Sequence, residues 1–331
     1  MSSPSVDVVV ATYNRQERLV RTLRSLERQT VPGFGVVVVD DGSDPPAEAA
    51  IPPALREALD IRVLRTPGNR GPAAARNMAI QSSSADVIAF LDDDVDADPG
   101  WLAAHLERLR QSAHDTVVIG PLLAPPDWRP TPWNRWEAVK LAHEYARMEA
   151  GDYAPTWRQF FTGNASVRRS VVVQAGGFNE TLRRAEDIEL ALRLSRAGSI
   201  FVFAPEARGW HYARRSREAW LGNAGHYAAV DVALDAMYPE LRWLELIADE
   251  LGQRSRASRI ARSLSVGLLG EGRAVGAAVN VAILSNRGPL APFAVKAASL
   301  AYDIRYRAAL ESLTGSTAGA SLSEERSPGA P

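Results

Sequence analysis

The chain has 331 residues, 46% hydrophobic and 23% charged, enough for about two compact units at roughly 150 residues each. It contains no cysteine, which excludes disulfide scaffolds, thiol catalysis, zinc–thiolate sites and iron–sulfur clusters. Its 38 basic and 39 acidic residues leave a net charge of −1, without the basic field that would point to nucleic acid as a partner.

The opening MSSPSVDVVV has neither the basic nor the long apolar segment of a secretory leader, so an unexported, cytoplasmic chain is expected. Near-continuous β-branched runs at 6–11, 36–39, 61–64 and 87–91 predict parallel strands buried on both faces. Between the first two, Leu19, Leu23 and Leu26 fall at i, i+4 and i+7 and predict an amphipathic helix over 15–29, with Glu17, Arg18, Arg21 and Arg24 on its other faces. The alternation recurs with helices over 47–58, 73–82 and 101–110, the last striped by Leu102, Leu106 and Leu109. Residues 1–120 therefore read as an α/β sheet with helices on both faces.

From Pro121 the texture changes to Pro125, Pro126, Trp128, Pro130, Pro132, Trp133 and Trp136, which marks a seam. Residues 121–238 form a second half with one further strand over 200–204, residues 239–313 a helical extension, and residues 314–331 a small, polar, disordered tail. The longest nearly apolar stretch, 274–284, is interrupted by Asn280 and falls short of the roughly 20 residues a membrane span needs. There is no internal repeat. The tryptophans between 128 and 157 read as core or interface packing before acceptor stacking.

Ligands of open parallel sheets bind beyond the carboxyl ends of the strands. There the first strand delivers Thr12, Tyr13 and Asn14, the second Asp40, Asp41, Gly42 and Ser43, and the fourth Asp92, Asp93 and Asp94. Carboxylates so crowded repel unless a cation or hydrogen-bond donors neutralise them, and all-oxygen ligands favour Mg²⁺ or Mn²⁺. Taken singly, Asp-Asp-Gly-Ser is an ordinary turn. An acidic run such as 92–98 is usually a solvated loop, yet here it follows five apolar residues without a spacer. A helix–loop–helix calcium site starting at Asp92 fails, because its sixth and twelfth positions hold Ala97 and Ala103. An aspartyl-phosphatase reading through Asp92 and Asp94 lacks its lysine, since Lys140 and Lys296 stand in no matching context.

In order, VVVATYNR (8–15), VVVVDDGS (36–43), GNRGPAAARN (68–77), FLDDDV (90–95), GGFNE (176–180) and EDIELALRL (186–194) resemble the signature of family 2 glycosyltransferases. That resemblance implies a GT-A fold, a Rossmann-like, mostly parallel sheet flanked by helices, with the helical C-terminal part as an extension. It implies a nucleotide-diphosphate sugar donor, a divalent metal and inversion in one displacement. By the same resemblance Thr12 and Tyr13 line the nucleobase pocket, Asp41 accepts from the base, and Arg76 sits near the donor. Asp92 completes an Asp-x-Asp element in which Asp93 holds the ribose and Asp94 the metal. Asp187 matches the catalytic base, and Gly163, Asn164 and Glu186 the acceptor side.

The chemistry agrees. Departure of a nucleoside diphosphate develops charge that a metal held by Asp94 stabilises, and a carboxylate base for the acceptor hydroxyl is worth about 10²- to 10⁴-fold. Standing alone, Glu186 and Asp187 would be dipole-favoured acids in a first helical turn, an environment that keeps Asp187 ionised. His211, just past the last strand, is read as a further metal ligand, although a lone histidine is more often hydrogen-bonded or on the surface.

Arg214, Arg215 and Arg217 form a basic loop that is solvated or meets a diphosphate or anionic acceptor. Arg254, Arg256, Arg259 and Arg262 interleave with Ile260 and Leu264, either at the inner face of an anionic membrane or, preferred, in a packed bundle. Two other functions remain open: a non-catalytic nucleotide- or glycan-binding homologue and, last, a sugar-nucleotide nucleotidyltransferase, whose Gly-rich basic N-terminal loop is missing. Sugar, base, and the choice among glycan, lipid-linked and small-molecule acceptors stay undetermined.

Overall fold

The four valine-rich runs form β1 (Val6–Thr12), β2 (Gly35–Asp40), β3 (Asp60–Arg65) and β4 (Val87–Leu91). Successive side chains in a strand face opposite ways. Accordingly Val8, Val10, Val36, Val38, Ala89 and Leu91 enter one buried layer, while Val9, Val37, Val39, Ile88 and Phe90 enter the other. In β1, β2 and β4 nearly every position is apolar because both faces are covered, whereas β3, at the sheet edge, is partly exposed and carries Arg62, so the expectation that it is buried on both faces does not hold. The helices α1 (Gln16–Glu27), α2 (Pro53–Ala58), α3 (Pro72–Ser82) and α4 (Trp101–Gln111) follow. Leu19, Leu23, Leu26, Leu55, Leu102 and Leu109 close the first layer, and Ala73, Ala75, Ala79 and Ile80 of α3 close the second. The helix expected over 47–58 is broken: 47–50 is a 3₁₀ turn and α2 restarts at Pro53. Proline supplies no N–H and holds the residue before it out of the helical region, so the Pro52-Pro53 pair ends one segment and opens the next.

The computed structural model describes residues 4–253 and 255–315, which divide into two units. The first comprises the described residues to Trp128 with Lys140–Ala213, the second Arg129–Val139 with those from Arg214. The first unit adds β5 (Val95–Ala97), β6 (Val117–Ile119), β7 (Leu122–Leu123), β8 (Asn164–Arg168), β9 (Phe201–Phe203) and β10 (Gly209–His211). Its further helices are α5 (Pro132–Glu149), which begins in the other unit's segment, α6 (Arg169–Gln174) and α7 (Glu186–Arg196). The main sheet has the order β3-β2-β1-β4-β8-β6-β9, parallel except where β8 runs against β4 and β6. A second sheet, β5-β10-β7, sets His211 opposite Val95.

The second unit contains α8 (Arg217–Met237), α9 (Trp243–Gly252), α10 (Arg256–Leu269), α11 (Glu271–Leu284) and α12 (Ala291–Thr314). Small residues of α11 and α12, among them Ala274, Ala278, Ala298 and Ala301, pack with Trp220. Trp133 stacks on Trp220 with centroids 6.0 Å apart, and Trp136 lies 4.8 Å from the Tyr302 ring, so these tryptophans are core residues. Residues 140–213 stay with the strands and 214–237 join the helices, so the helical unit takes in residues from 214 where the extension was expected to begin at 239. The packing expected of α10 is only half realised. Val266 packs against the core and Arg262 faces Asp303 at 4.0 Å, but Ile260 and Leu264 are exposed. Among the described residues no helix is long and apolar enough to cross a membrane. Arg254 and nearly all of the expected tail, residues 316–331, lie outside the described residues.

Candidate active site

Because β1, β2 and β4 are parallel neighbours, their carboxyl ends open on one edge of the first unit. The Thr12 hydroxyl donates to Asp93 Oδ2 at 2.7 Å, and the Asp41 N–H donates to the Thr12 carbonyl at 2.9 Å. Tyr13 follows with a ring 43% exposed, free to stack on a base. Asn14 is left-handed (φ 53°), its N–H donating to Ser43 Oγ and its side-chain Oδ1 accepting from Asp44 N–H, both at 2.8 Å. The two strand-end loops are thereby clasped together.

Asp40 and Asp41 divide the work of building this edge. Asp40 is buried and accepts from the backbone of Ser43 and Ala47 and from Arg65. Burial opposes its charge, but these donors win and hold its carboxyl below the usual range. Asp41 accepts from the Thr66 hydroxyl (2.8 Å), Arg70 N–H (2.9 Å) and Gly71 N–H (2.8 Å), so it shapes the loop after β3 and keeps little capacity for a base. Gly42 (φ +82°) is obligatory, since a Cβ there would lie 2.6 Å from the Gly68 carbonyl carbon.

The acidic run meets a ladder of arginines. Arg15, Arg18 and Arg21 recur every third residue at the start of α1 and pair with Asp93 (3.1 Å), Asp94 (3.0 Å) and Asp96 (2.9 Å). The β10–β5 register brings His211 Nε2 to 3.3 Å from Asp94 Oδ1, and Tyr212 N–H donates to the Asp94 carbonyl at 2.9 Å. Arg21 lies 3.1 Å above the Tyr212 ring. Burial opposes ionisation of Asp94, but His211, Arg15 and Arg18 overcome it and hold its carboxyl well below the ordinary range. For Asp93, burial and the neighbouring Asp94 and Asp92 outweigh Arg15 and Thr12 and push it up to about 6. Asp94 and His211 are oxygen and nitrogen donors that fit a hard divalent ion. Among the described residues no set of three or more His, Asp or Glu side chains is grouped to hold a metal. Two donors suffice for an ion that takes its remaining positions from water and phosphate oxygens.

On the other side of Asp92, Arg76 of α3 donates to Asp92 Oδ1 at 3.1 Å and to Glu186 Oε1 at 2.6 Å. Gly163 makes room for Asp92, because a Cβ there would sit 2.9 Å from its Oδ2. Glu186, expected on the acceptor side, is buried and serves as the counter-ion of Arg76. Asp187 is half-buried, and its Oδ1 accepts from Ile188 N–H at 2.9 Å. Burial first, then Glu186 and Asp92, push its carboxyl up to about 7 against Arg76 and that N–H. The helix dipole expected to keep it ionised is outweighed. Just before the pair, Ala185 adopts a left-handed φ of 54°, a conformation that costs a non-glycine residue on the order of 1–2 kcal/mol.

Thr12 thus joins Asp41 and Asp93, Arg15 bridges Asp93 and Asp94, and Asp94 meets His211, while from the adjoining Asp92 the contacts run through Arg76 to Glu186, next to Asp187. Residues 7–176 match the family model described as Glycosyl transferase family 2. The chain belongs to this family. It is 32% identical over 236 residues to the succinoglycan biosynthesis protein ExoM of Rhizobium meliloti, covering 65% of this chain and 70% of that protein. It is 31% identical over 243 residues to the pre-mycofactocin glycosyltransferase of Mycobacterium tuberculosis, covering 72% of this chain and half of that relative's length. Its GT-A fold is that of the mannosyltransferase PcManGT from Pyrobaculum calidifontis, solved with GDP-Man and Mn²⁺ (20% identity, 93% of this chain and 88% of that chain, TM-score 0.60). It is also that of S. aureus TarS 1-349, solved with UDP-GlcNAc (19% identity, 94% and 91% coverage, TM-score 0.53).

One expected acceptor residue of this family 2 chain is elsewhere. Asn164 is buried, its Oδ1 accepting from Trp101 Nε1 (2.6 Å) and facing His105 Nε2 (2.8 Å), its Nδ2 donating to the carbonyls of Pro121 and Ala207 (both 2.8 Å). With every bond made, Asn164 ties β8 to the chain around it and offers nothing to a sugar. His105, given no role from sequence, completes this network through Ser166 at 2.9 Å, and burial lowers its pKa to about 4. Of the basic loop, Arg215 pairs with Glu137 at 2.6 Å and Arg217 with Glu218 at 2.8 Å.

Proposed function

We propose that this chain transfers a sugar from a nucleotide-diphosphate donor to an acceptor hydroxyl with inversion. The observation that carries the reading is that His211, Asp94 and Asp93, the last two bridged by Arg15, adjoin Asp92 in the chain, and that Arg76 ties Asp92 to Glu186, beside Asp187. The family 2 relatives named as glycosyltransferases, and the bound GDP-Man and UDP-GlcNAc of its structural neighbours, support the donor class.

In this reading Tyr13 stacks on the base, with Thr12 beside it and Asp41 fixing the surrounding loop. Asp93 takes the ribose. Asp94 and His211 hold the divalent ion, Mg²⁺ or Mn²⁺, which when bound acts as a Lewis acid on the diphosphate. Arg76 holds Asp92 and Glu186 at fixed positions beside the reacting centre. Asp187 accepts the acceptor's proton as that oxygen bonds to the anomeric carbon and the carbon–diphosphate bond breaks. A carboxyl pushed up to about 7 is matched to that task near neutral pH. The test is a panel of nucleotide sugars, with and without Mn²⁺, read first by thermal stabilisation and then by sugar transfer. One donor raising Tm and being consumed supports the reading. Stabilisation without turnover on any acceptor makes the chain a binding homologue, and no stabilisation by any nucleotide overturns the site.

A further inference from the structure

Residues 256–296 carry Arg256, Arg259, Arg262, Arg273, Arg287 and Lys296 against a single acid, Glu271, in a chain whose acids outnumber its bases by one. Glu271 is engaged by Arg305 at 3.2 Å, and Arg262 faces Asp303. The other basic side chains of this stretch are exposed. Large apolar side chains share that exposure. On α10, Ile260 (49% exposed), Leu264 (58%) and Leu268 (80%) stand at i, i+4 and i+8, one face of the helix, while Val266 on another face packs inward. Arg256 and Arg259 border the stripe and line an open groove with Ile260, Ser263 and Leu264. Where α11 gives way to α12, Leu284, Leu290 and Phe293 are also outside.

We propose that this face of the helical unit docks on an anionic lipid bilayer, with α10 lying in the interface. The partner's chemistry follows from the pairing of an apolar stripe with uncompensated cations: Ile260, Leu264 and Leu268 enter the acyl boundary while Arg256 and Arg259 meet lipid phosphates. A second copy of the chain is the poorer occupant, because it would oppose like charges across the contact. Contact is peripheral, since no described helix is long and apolar enough to span. The surface uses no residue of the candidate active site, so it stands or falls apart from the transfer chemistry.

The experiment is flotation of the full chain with vesicles of phosphatidylcholine alone or mixed with phosphatidylglycerol, at low and high salt. Binding is expected only to the anionic vesicles and to weaken with salt. Arg256→Ala with Arg259→Ala weakens partitioning roughly 30-fold, and Leu264→Ser with Leu268→Ser abolishes it, while circular dichroism and Tm stay as in the parent because all four side chains are exposed. Equal binding to neutral vesicles, no binding to either, or binding untouched by both double substitutions overturns the proposal. So does a dimer in light scattering that is dissolved by Leu264→Ser with Leu268→Ser, in a chain that ignores vesicles.

Discussion

Arg76 donates to Glu186 Oε1 at 2.6 Å, and this ion pair fastens α3 to the first turn of α7 inside the protein. The same guanidinium reaches Asp92 Oδ1, so one side chain holds the acidic edge beyond β4 and the Glu186-Asp187 pair at a fixed separation. A planar fork suits this double duty, whereas an ammonium is a point charge.

Removing Arg76 therefore tests structure and chemistry together. In Arg76→Ala the buried Glu186 loses its counter-ion, and breaking a buried pair costs about 3–5 kcal/mol. Urea unfolding should show that loss. Arg76→Lys should recover part of the stability but little of the turnover, because it cannot hold both carboxylates. A loss below about 1 kcal/mol for the alanine variant would mean that Glu186 escapes to water.

Asp187 sets a pH dependence of definite sign. A base is active when deprotonated, so kcat/KM should rise with pH through about 7, well above the range of an ordinary carboxylate. Its contribution to stability runs the other way. With the folded pKa raised, the folded chain binds more protons than the unfolded one, so the favourable contribution is present at low pH and lost as pH rises towards 7. Asp187→Asn should lower transfer by about 10²- to 10⁴-fold, leave donor affinity intact and raise Tm at pH 8. Parental turnover in that variant rules out Asp187 as the base.

Much of this was legible in the sequence, and the exceptions have physical causes. Strands β1, β2 and β4 announced themselves because strands covered on both faces need apolar residues at nearly every position, and the edge strand β3 did so through Ile61, Val63 and Leu64. Strands β5, β7 and β10 did not, since segments of two or three residues are too short to carry a period. His211 was found by its position in the chain, but its reason for lying beside Asp94 is the register of those short strands. Arg18 and Arg21 were placed only on the other faces of the first helix, and Arg15 at its start was given no role. Their every-third spacing was visible, but the matching acids lie some 75 to 78 residues away and only folding brings them together. Asn164 misled because an asparagine next to a glycine reads equally as a sugar ligand or as a buried polar tie, and only the four partners of its side chain decide.

Asn164→Ala should thus be a stability variant. It leaves the Trp101 and His105 ring nitrogens and two carbonyls short of a partner, and each buried polar group so stranded costs about 1–3 kcal/mol. Thermal unfolding should fall markedly while the acceptor KM of the protein that remains folded stays within about twofold of the parent, well under the roughly 1.4 kcal/mol that a tenfold change represents. A selective rise in acceptor KM at unchanged Tm would return Asn164 to the acceptor wall.

Metal affinity should depend on the donor. Asp94 and His211 supply two ligands, and the Asp94 carboxylate is already paired with Arg15 and Arg18 and faced by the His211 ring. An ion arriving alone must displace those partners and gains little coordination. An ion arriving with a nucleoside diphosphate gains phosphate oxygens, and the released arginines acquire a new anion. Mn²⁺ titrations followed by electron paramagnetic resonance should therefore show weak binding to the free chain and much tighter binding with nucleotide present, by reciprocal linkage. Asp94→Ala should abolish the difference and His211→Ala reduce it. Arg18→Ala should strengthen the binding of Mn²⁺ alone, because it removes a competitor for Asp94 Oδ2. Equal Mn²⁺ affinity with and without nucleotide, unchanged in Asp94→Ala, would place the ion elsewhere.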